Sequence, residues 1–593
     1  MSFEMMFVSS LLLTMFAMLI FEVARADMVI FSVLIILLLS GILTVDEALS
    51  GFSNEGMLTV ALLFIVAGTV QKSGLIDRMM ERLLKNSRNH TDSMLRFFVP
   101  TSAFSAFLNN TPIVVTFTPI IKKWCENRGI APSKFLIPLS YATILGGMIT
   151  LMGTSTNLVV HGLMLDYGLD GFSLFTLTVV GIPVALIGLV YLFTIGYKLL
   201  PDNKGFGQQI KEDSKEYIAE MQVTQDFGHL GRRVEQAGLR DLKGLYLIEI
   251  IRDDFQRISP VRSTTVIQSG DRLIFTGLIS TIADLQKIKG LELETGTNFD
   301  LDDLKDGSIN LVDAVVSNQS SLLSKSIKQS QFRSRYDAGV IAVHRNNERI
   351  RSKIGDIVLK PGDSLLLVAG TDFVEKYQQS NDFFVVSSLD TPASLNQNAK
   401  KGWFSILILF AMIMTVTLGW LSMFKATALA VLVFLSTKVI TPQEAKKYVH
   451  FNVLLLIASS LGIGTAMMKT GLADWIAAVL LDFGEPLGIV VILFIIYILT
   501  NVFTEIITNS AAAVIMLPIG IEMAQTLAID PIGIAVLIAI AASASFVTPI
   551  GYQTNLIVYG PGGYKFTDYV KVGFPLSLLV MVTSVFIIYN VWF

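Results

Sequence analysis

Six residues, Phe107-Leu-Asn-Asn-Thr-Pro112, constrain the whole chain, because a counterpart stands near its other end: Ile506-Ile-Thr-Asn-Ser-Ala511. Each stretch places an Asn and a hydroxyl residue inside apolar sequence, and a Pro follows the hydroxyl by eight residues (111 to 119, 510 to 518). Polar side chains and free backbone groups at membrane depth are costly. They are tolerated where protein buries them or a polar cavity receives them. One such place in each half suggests a transporter whose substrate sits between two repeats.

The surrounding sequence fits that reading. Residues 1–200 and 402–593 are apolar runs, while about 200 residues between them read as soluble protein. Charged residues make up 16% of the chain, against roughly 25% in an ordinary soluble domain. A chain of 593 residues is also too long for one core. The lone Cys125 excludes an internal disulfide and a thiol metal cluster. The formal net charge of -3 says little about partners.

The first apolar run, 5–22, reads as a membrane helix. A signal peptide is the rival, since Ala24-Arg-Ala26 resembles a cleavage site, but Met1-Ser-Phe-Glu4 offers no positive n-region. Further spans are expected at 28–44, 55–71, 173–199, 402–421, 426–440, 452–468 and 569–592. The segment 95–124 is broken at Asn109-Asn110-Thr111-Pro112, which suits a re-entrant hairpin; 133–165 is broken again at Gly153-Thr-Ser-Thr-Asn157. The second half shows the same order, with breaks at Thr508-Asn509-Ser510 and between Thr548 and Asn555.

Offsets make the repetition countable. Lys72-Ser-Gly-Leu75 pairs with Lys469-Thr-Gly-Leu472, 397 apart, and Asn110 with Asn509, 399 apart. Gly153-x-x-Thr156-Asn157-Leu158 pairs with Gly551-x-x-Thr554-Asn555-Leu556 at 398, and Gly181-Ile-Pro183 with Gly573-Phe-Pro575 at 392. Shared apolar composition would not align the polar breaks, so the pattern indicates an internal duplication. The basic stretch 78–96 (Arg78, Arg82, Lys85, Arg88), Lys198, Lys204, Lys400, Lys401, Lys446 and Lys447 are expected on the cytoplasmic side. Counting spans from them runs 55–71 inward and 452–468 outward. The expected fold is therefore a polytopic α-helical membrane protein of two inverted repeats, each with a re-entrant hairpin and a broken helix.

The central insert is itself duplicated. Gln268-Ser-Gly-Asp-Arg-Leu-Ile-Phe275 resembles Leu359-Lys-Pro-Gly-Asp-Ser-Leu-Leu-Leu367, with Gly270 and Gly362 spaced 92 apart. Each follows a β-type run carrying a basic residue, Tyr246–Arg252 or Gly339–Arg345. Small α+β modules are expected. Arg252, Arg257, Arg345, Arg349 and Arg351 could meet an anionic effector or form a solvated basic face.

Interrupted helices leave carbonyls that can coordinate a cation, while free N–H groups and helix N-termini attract an anion. Asn, Ser and Thr supply oxygen ligands suited to a hard monovalent cation. No Asp, Glu or His cluster with metal-ligand spacing is present, so a transition metal is not expected; nor is a catalytic triad or Walker loop, so the chain does not read as an enzyme. Bridging between helices is the alternative role for Asn110 and Asn509. Glu505, beside the second break, reads as a proton or cation participant or as a structural carboxylate.

On these residues the two hairpin tips resemble the Ser-Asn-Thr signatures of the divalent anion/sodium symporter family, over about 45–200 and 402–593. Gly153-Thr154-Ser155-Thr156-Asn157 is similar to that family's Gly-Thr-Pro-Pro-Asn break. The resemblance implies a first sodium site at Ser105, Asn109, Asn110 and Gly153, and a second at Thr504, Ile507, Asn509 and Gly551. It implies substrate contacts from Asn109, Asn110, Thr111, Thr154, Thr508, Asn509, Ser510 and Tyr552. Both leading serines of the signature are replaced, and Gly551-Tyr-Gln-Thr-Asn555 lacks the Thr-Pro-Pro; Tyr552 would narrow the cavity toward a compact oxyanion such as sulfate, with a dicarboxylate next. The insert modules resemble TrkA-C (RCK C-terminal) domains, which implies either a nucleotide effector or, since neither module shows a glycine-rich nucleotide fingerprint, a purely structural or dimer-organising role.

The expected organisation is therefore 1–202 and 402–593 as the membrane halves, 203–295 and 296–385 as two cytoplasmic TrkA-C-like domains, and 386–401 as a linker. The expected activity is sodium-coupled symport of a small divalent anion across the inner membrane by a homodimer. No cofactor beyond sodium as coupling ion is expected, and no nucleic-acid partner. Proton coupling, exchange, an anion-sensing receptor and a channel gated by the insert remain the alternatives.

Overall fold

The computed structural model describes residues 2–20, 23, 26–72, 90–203, 218–239, 245–252, 256–258, 261–277, 288–293, 309–345, 348–350, 354–370, 372–377, 380–388, 399–449, 451–484 and 488–593. Arg78, Arg82, Lys85, Arg88 and Lys204 lie outside these residues, as do Arg351 and the side chains of Arg257, Arg349, Lys400 and Lys401.

Helices occupy both flanking blocks, within a few residues of the expected spans. The first half contributes Phe3–Ile20, Ala26–Leu39, Glu55–Lys72, His90–Ser105, Asn110–Asn127, Ser133–Gly147, Ser155–Asp166 and Thr178–Tyr191. The second contributes Ala399–Thr417, Met423–Ser436, Phe451–Lys469, Leu472–Gly484, Ile489–Ile506, Asn509–Thr526, Pro531–Ser543, Gln553–Tyr559 and Phe566–Trp592. Among the described residues five helical segments are long and apolar enough to cross a membrane, the longest unbroken α-helix being the 27 residues of Phe566–Trp592. Large leucine and phenylalanine side chains such as Leu407, Phe410, Leu432 and Phe586 stay exposed. Large apolar surface of that kind is paid for only where lipid or another apolar surface covers it.

The halves are tied crosswise. The Lys72 ammonium meets Glu444 at 2.6 Å, and the Lys469 ammonium meets Glu47 at 2.9 Å. Each Lys belongs to one of the duplicated Lys-x-Gly-Leu sequences, and each reaches into the other half. Both glutamates also close a capping box at the start of a short helix, with Thr44 for Val45–Leu49 and Thr441 for Pro442–Tyr448. The packing follows the same rule: Glu55–Lys72 lies on Met423–Ser436, and Phe451–Lys469 on Ala26–Leu39. Small residues permit the close approaches. A methyl group on Gly51 would lie 2.1 Å from the Ala458 carbonyl oxygen.

Among the described residues ten strands build the insert as two five-stranded sheets: β1 (Ile218–Val223), β2 (Leu245–Arg252), β3 (Gln256–Ile258), β4 (Arg272–Gly277), β5 (Leu291–Leu293), then β6 (Ile309–Val316), β7 (Ala338–Arg345), β8 (Glu348–Arg349), β9 (Ser364–Gly370) and β10 (Phe383–Ser388). Their orders, β3-β2-β4-β1-β5 and β10-β6-β9-β7-β8, become the same when the second is read from its other end. Every described pairing is antiparallel. Gly270 and Gly362 both take positive φ, 88° and 81°, in the turn that leads into the third strand of each sheet. Beside those turns Arg252 grips the Asp271 carboxylate through two nitrogens, at 2.7 and 2.9 Å, and Arg345 grips Asp363 likewise, both at 2.7 Å. The two arginines are therefore turn clamps. Neither offers a solvated basic face, and neither is left over for an effector.

The second sheet is seated on helices of the two flanking blocks. Asp313 on β6 pairs with Lys122 of the Asn110–Asn127 helix, with side chains only 4% and 6% exposed. Val315 and Val385 join the main apolar core, and Gly362 lies against Leu556 and near Tyr559 of the Gln553–Tyr559 helix. This sheet thus touches the two helices that begin at Asn110 and just after Tyr552.

Candidate binding site between the two halves

Each hairpin turns where the sequence supplies polar groups for the freed backbone. The first passes from His90–Ser105 to Asn110–Asn127, and the second from Ile489–Ile506 to Asn509–Thr526. At the second tip Ile507 is extended, and the Thr508 hydroxyl accepts from the Ala511 amide at 3.4 Å, an N-cap on the returning helix.

A set of hydrogen bonds then recurs at the offset found in the sequence. The Ser105 hydroxyl contacts the Asn110 carboxamide at 2.5 Å and the Thr143 carbonyl at 2.9 Å; the Thr504 hydroxyl contacts Asn509 Oδ1 at 2.9 Å and the Ala542 carbonyl at 2.6 Å. Those three pairs of positions are all 399 apart. The Asn157 amide donates to the Gly147 and Thr150 carbonyls at 3.1 and 2.9 Å, and the Asn555 amide to those of Ser545 and Thr548, both at 3.1 Å. In these cases the amide satisfies carbonyls freed where the preceding helix ends, which explains an Asn at each break. Thr150 and Thr548 complete the pattern by donating to the carbonyls of Ala106 and Glu505.

These clusters are rich in acceptors. A hydroxyl carries one proton, yet Ser105 and Thr504 each face both an Asn and a main-chain carbonyl. The Asn110 carboxamide is placed so that its inner atom lies 2.5 Å from Ser105 Oγ, 3.1 Å from Thr143 O and 3.3 Å from Gly153 O. With the carboxamide oxygen turned inward, converging neutral oxygens of this kind suit a hard monovalent cation and offer nothing to a soft transition metal. Close approach is enforced at the glycines. A methyl on Gly153 would lie 2.5 Å from the Gly147 carbonyl oxygen; one on Gly551 would lie 2.2 Å from Ser545 Oγ and 2.8 Å from Glu505 Oε2.

Contacts between the halves cross here too. Tyr552 is 9% exposed and its hydroxyl lies 2.7 Å from the Asn110 carboxamide and 3.1 Å from Thr154 Oγ1. Thr111 donates to Gln553 Oε1 at 3.3 Å. The Asn110–Asn127 helix packs on Gln553–Tyr559, while Asn509–Thr526 packs on Ser155–Asp166. Tyr552 thereby links the N-termini of two longer helices, those starting at Asn110 and Ser155, and helix N-termini favour anions.

Of the residues singled out in the sequence, Ser105, Asn110, Gly153, Thr154 and Tyr552 come together around one point, and Thr111 meets Gln553 beside it. Thr504 and Asn509 meet at the second hairpin, with Ile507 buried in its turn, Ser510 9% exposed and Thr508 exposed. Gly551 lies within reach of Glu505. Asn109 stands apart from the first cluster: it lines a recess with Ala67, Gln71, Pro112 and Thr116. Glu505 accepts from the Val547 and Thr548 amides at 2.8 and 2.9 Å, so its carboxylate braces the second break. Thr143 and Ala542 were missed because they act through main-chain carbonyls, which residue type does not reveal. Only their shared offset of 399 could have found them.

A family model described as a citrate transporter matches residues 16–539. The chain is similar to a Chlamydomonas reinhardtii protein titled "Putative sulfur deprivation response regulator", with 34% identity covering 95% of this chain and 97% of that one. It is similar to an uncharacterized transporter of Synechocystis, with 33% identity over 94% and 93% of the two chains. Similarity to sodium/sulfate cotransporter 1 of Chlamydomonas reinhardtii is 25% identity over 92% of this chain and 85% of that one.

Proposed function

The chain belongs to the citrate-transporter family, and on that premise we propose that it is a sodium-coupled symporter of a small divalent anion, working by alternating access. One observation carries the reading: the hydroxyl–Asn–carbonyl cluster of the first hairpin recurs 399 residues later in the second. In this reading the first sodium ion is held by Ser105, Asn110 and Gly153 together with the Thr143 carbonyl. The second is held by Thr504, Asn509, the Ala542 carbonyl and backbone at Ile507 and Gly551. A divalent anion carried with two monovalent cations moves no net charge, so two sites are the minimum for neutral transport.

The anion sits between the halves, against Thr111, Thr154, Ser510 and Tyr552, where the helices beginning at Asn110 and Ser155 present their N-termini. Tyr552 fills part of that space, which favours a sulfate-type oxyanion over a bulkier dicarboxylate; the name of the cotransporter relative points the same way. The repeats are inverted across the membrane, the insert is cytoplasmic, and the protein is an inner-membrane homodimer. The crosswise Lys–Glu pairs support the inversion, since a twofold-like relation between halves would generate such an exchange.

The insert modules, taken as TrkA-C-like, regulate the transporter. The second one rests on the helices that start at Asn110 and after Tyr552. That seat also favours a second reading, an anion-sensing receptor whose membrane part binds without transporting. Uptake of radiolabelled sulfate and succinate into proteoliposomes, with and without an inward sodium gradient, separates the two. Sodium-driven accumulation of one anion supports symport. Tight binding with no accumulation supports sensing, and uptake indifferent to sodium refutes the two-sodium reading.

A further inference from the structure

The Asn110 carboxamide stands between two environments. Inward lie the Ser105 hydroxyl and the Thr143 and Gly153 carbonyls; outward lies the Tyr552 hydroxyl, which in turn meets Thr154. Asn110 is 0% exposed and Thr154 3%, so water does not compete for these bonds. The oxygen and nitrogen ends of a carboxamide are nearly the same size, so the side chain fills the same space either way round, while protein partners alone satisfy both ends only with the nitrogen inward. The choice sets the direction of every bond that follows.

With the nitrogen inward, Asn110 donates to Ser105, Thr143 and Gly153, while its oxygen accepts from Tyr552. Ser105 then gives its one proton to the Thr143 carbonyl at 2.9 Å. Tyr552, its proton spent on Asn110, can only accept from Thr154. Protein groups alone satisfy this arrangement. With the oxygen inward, Asn110 Oδ1, Ser105 Oγ, Thr143 O and Gly153 O face one another with the single Ser105 proton among them. A cation is what makes that cluster favourable. The Asn110 nitrogen now donates to Tyr552 at 2.7 Å. Tyr552 donates to Thr154, and Thr154 keeps its own proton free for a ligand.

We propose that Asn110, Tyr552 and Thr154 form a hydrogen-bond relay whose direction the first cation sets, so that Thr154 donates to an anion only when that cation is bound. The inference rests on the sodium-symporter reading above and supplies its coupling step. The position equivalent to Tyr552 in the first half, 398 residues earlier, is Thr154 itself. The relay is thus built once, at the first cation site, although the oxygen clusters occur twice. Linkage requires the effect to be reciprocal: the anion must tighten the cation by the same factor.

The test uses the full-length protein in lipid nanodiscs, with choline replacing sodium. Two quantities are read: the rise in melting temperature caused by sodium alone, and the dissociation constants of sulfate and of succinate by calorimetry across a sodium series. In the wild type, sodium raises the melting temperature and tightens one anion on the order of tenfold or more. In Tyr552→Phe the sodium-induced rise persists, and the tightening falls below about threefold. Thr154→Val gives the same result and decides the matter if Tyr552→Phe does not fold. Full tightening in either folded variant overturns the relay and leaves the symporter reading standing. Wild-type protein that shows no response to sodium, in melting temperature or in anion affinity, overturns both.

Discussion

Removing the ammonium of Lys122 is the sharpest perturbation of the contact between the insert and the membrane helices. In Lys122→Met, Asp313 on β6 keeps a carboxylate with a side chain 4% exposed, and its Oδ1 already lacks a hydrogen-bond partner among the described residues. Breaking a buried pair by deleting one member costs about 3–5 kcal/mol, because the remaining charge stays desolvated. No discount for solvent screening applies at such low exposure. Replacing both members, in Lys122→Met/Asp313→Leu, removes the stranded charge, and a change of that type is often near neutral. Native-state hydrogen exchange of the β6 amides reads the opening free energy of this sheet directly. The expected result is a large loss of protection in Lys122→Met and in Asp313→Leu, recovered for the most part in the double variant. Protection unchanged in Lys122→Met, or a double variant as labile as either single, refutes the reasoning that this ion pair fastens the module.

Other perturbations separate structural from transport roles. Gly551→Ala forces a methyl to 2.2 Å from Ser545 Oγ, an overpacking that costs about 1–3 kcal/mol. It is expected to lower the melting temperature and abolish sodium-driven uptake together. Arg345→Ala strands the Asp363 carboxylate, whose side chain is 1% exposed; limited proteolysis should then cut within 309–388 while the membrane helices stay resistant. Glu505→Gln places an amide against the Val547 or Thr548 N–H groups. Uptake should fall by the same factor at every pH, because the carboxylate's oxygens accept from the Val547 and Thr548 N–H groups and its role is to brace the second break. Loss of pH dependence with the maximal rate retained would instead make Glu505 the proton carrier.

Much of the site was legible because its cost is written in residue type. An Asn within an apolar run must be satisfied somewhere, and the duplicated spacing of Asn110 with Asn509 and of Asn157 with Asn555 marked all four breaks. The strands Tyr246–Arg252 and Gly339–Arg345 were equally visible, lying within one residue of β2 and β7. What residue type could not show was which groups meet across 442 residues, as Asn110 and Tyr552 do, or that Lys122 would find Asp313. Arg252 and Arg345 were readable in principle. Each precedes the Asp of its Gly-Asp turn by 19 and 18 residues respectively, and two such matched pairs argue for clamps over a basic face.

In the proposed mechanism two matched cation sites drive one anion. Its most direct test is sodium-gradient-driven sulfate uptake into proteoliposomes by the wild type, Asn110→Ala and Asn509→Ala side by side, with folding checked by melting temperature. Two matched cation sites require sodium-driven accumulation in the wild type and its loss in both folded variants. Accumulation at the wild-type rate in either folded variant, or wild-type uptake that ignores the sodium gradient, would contradict it.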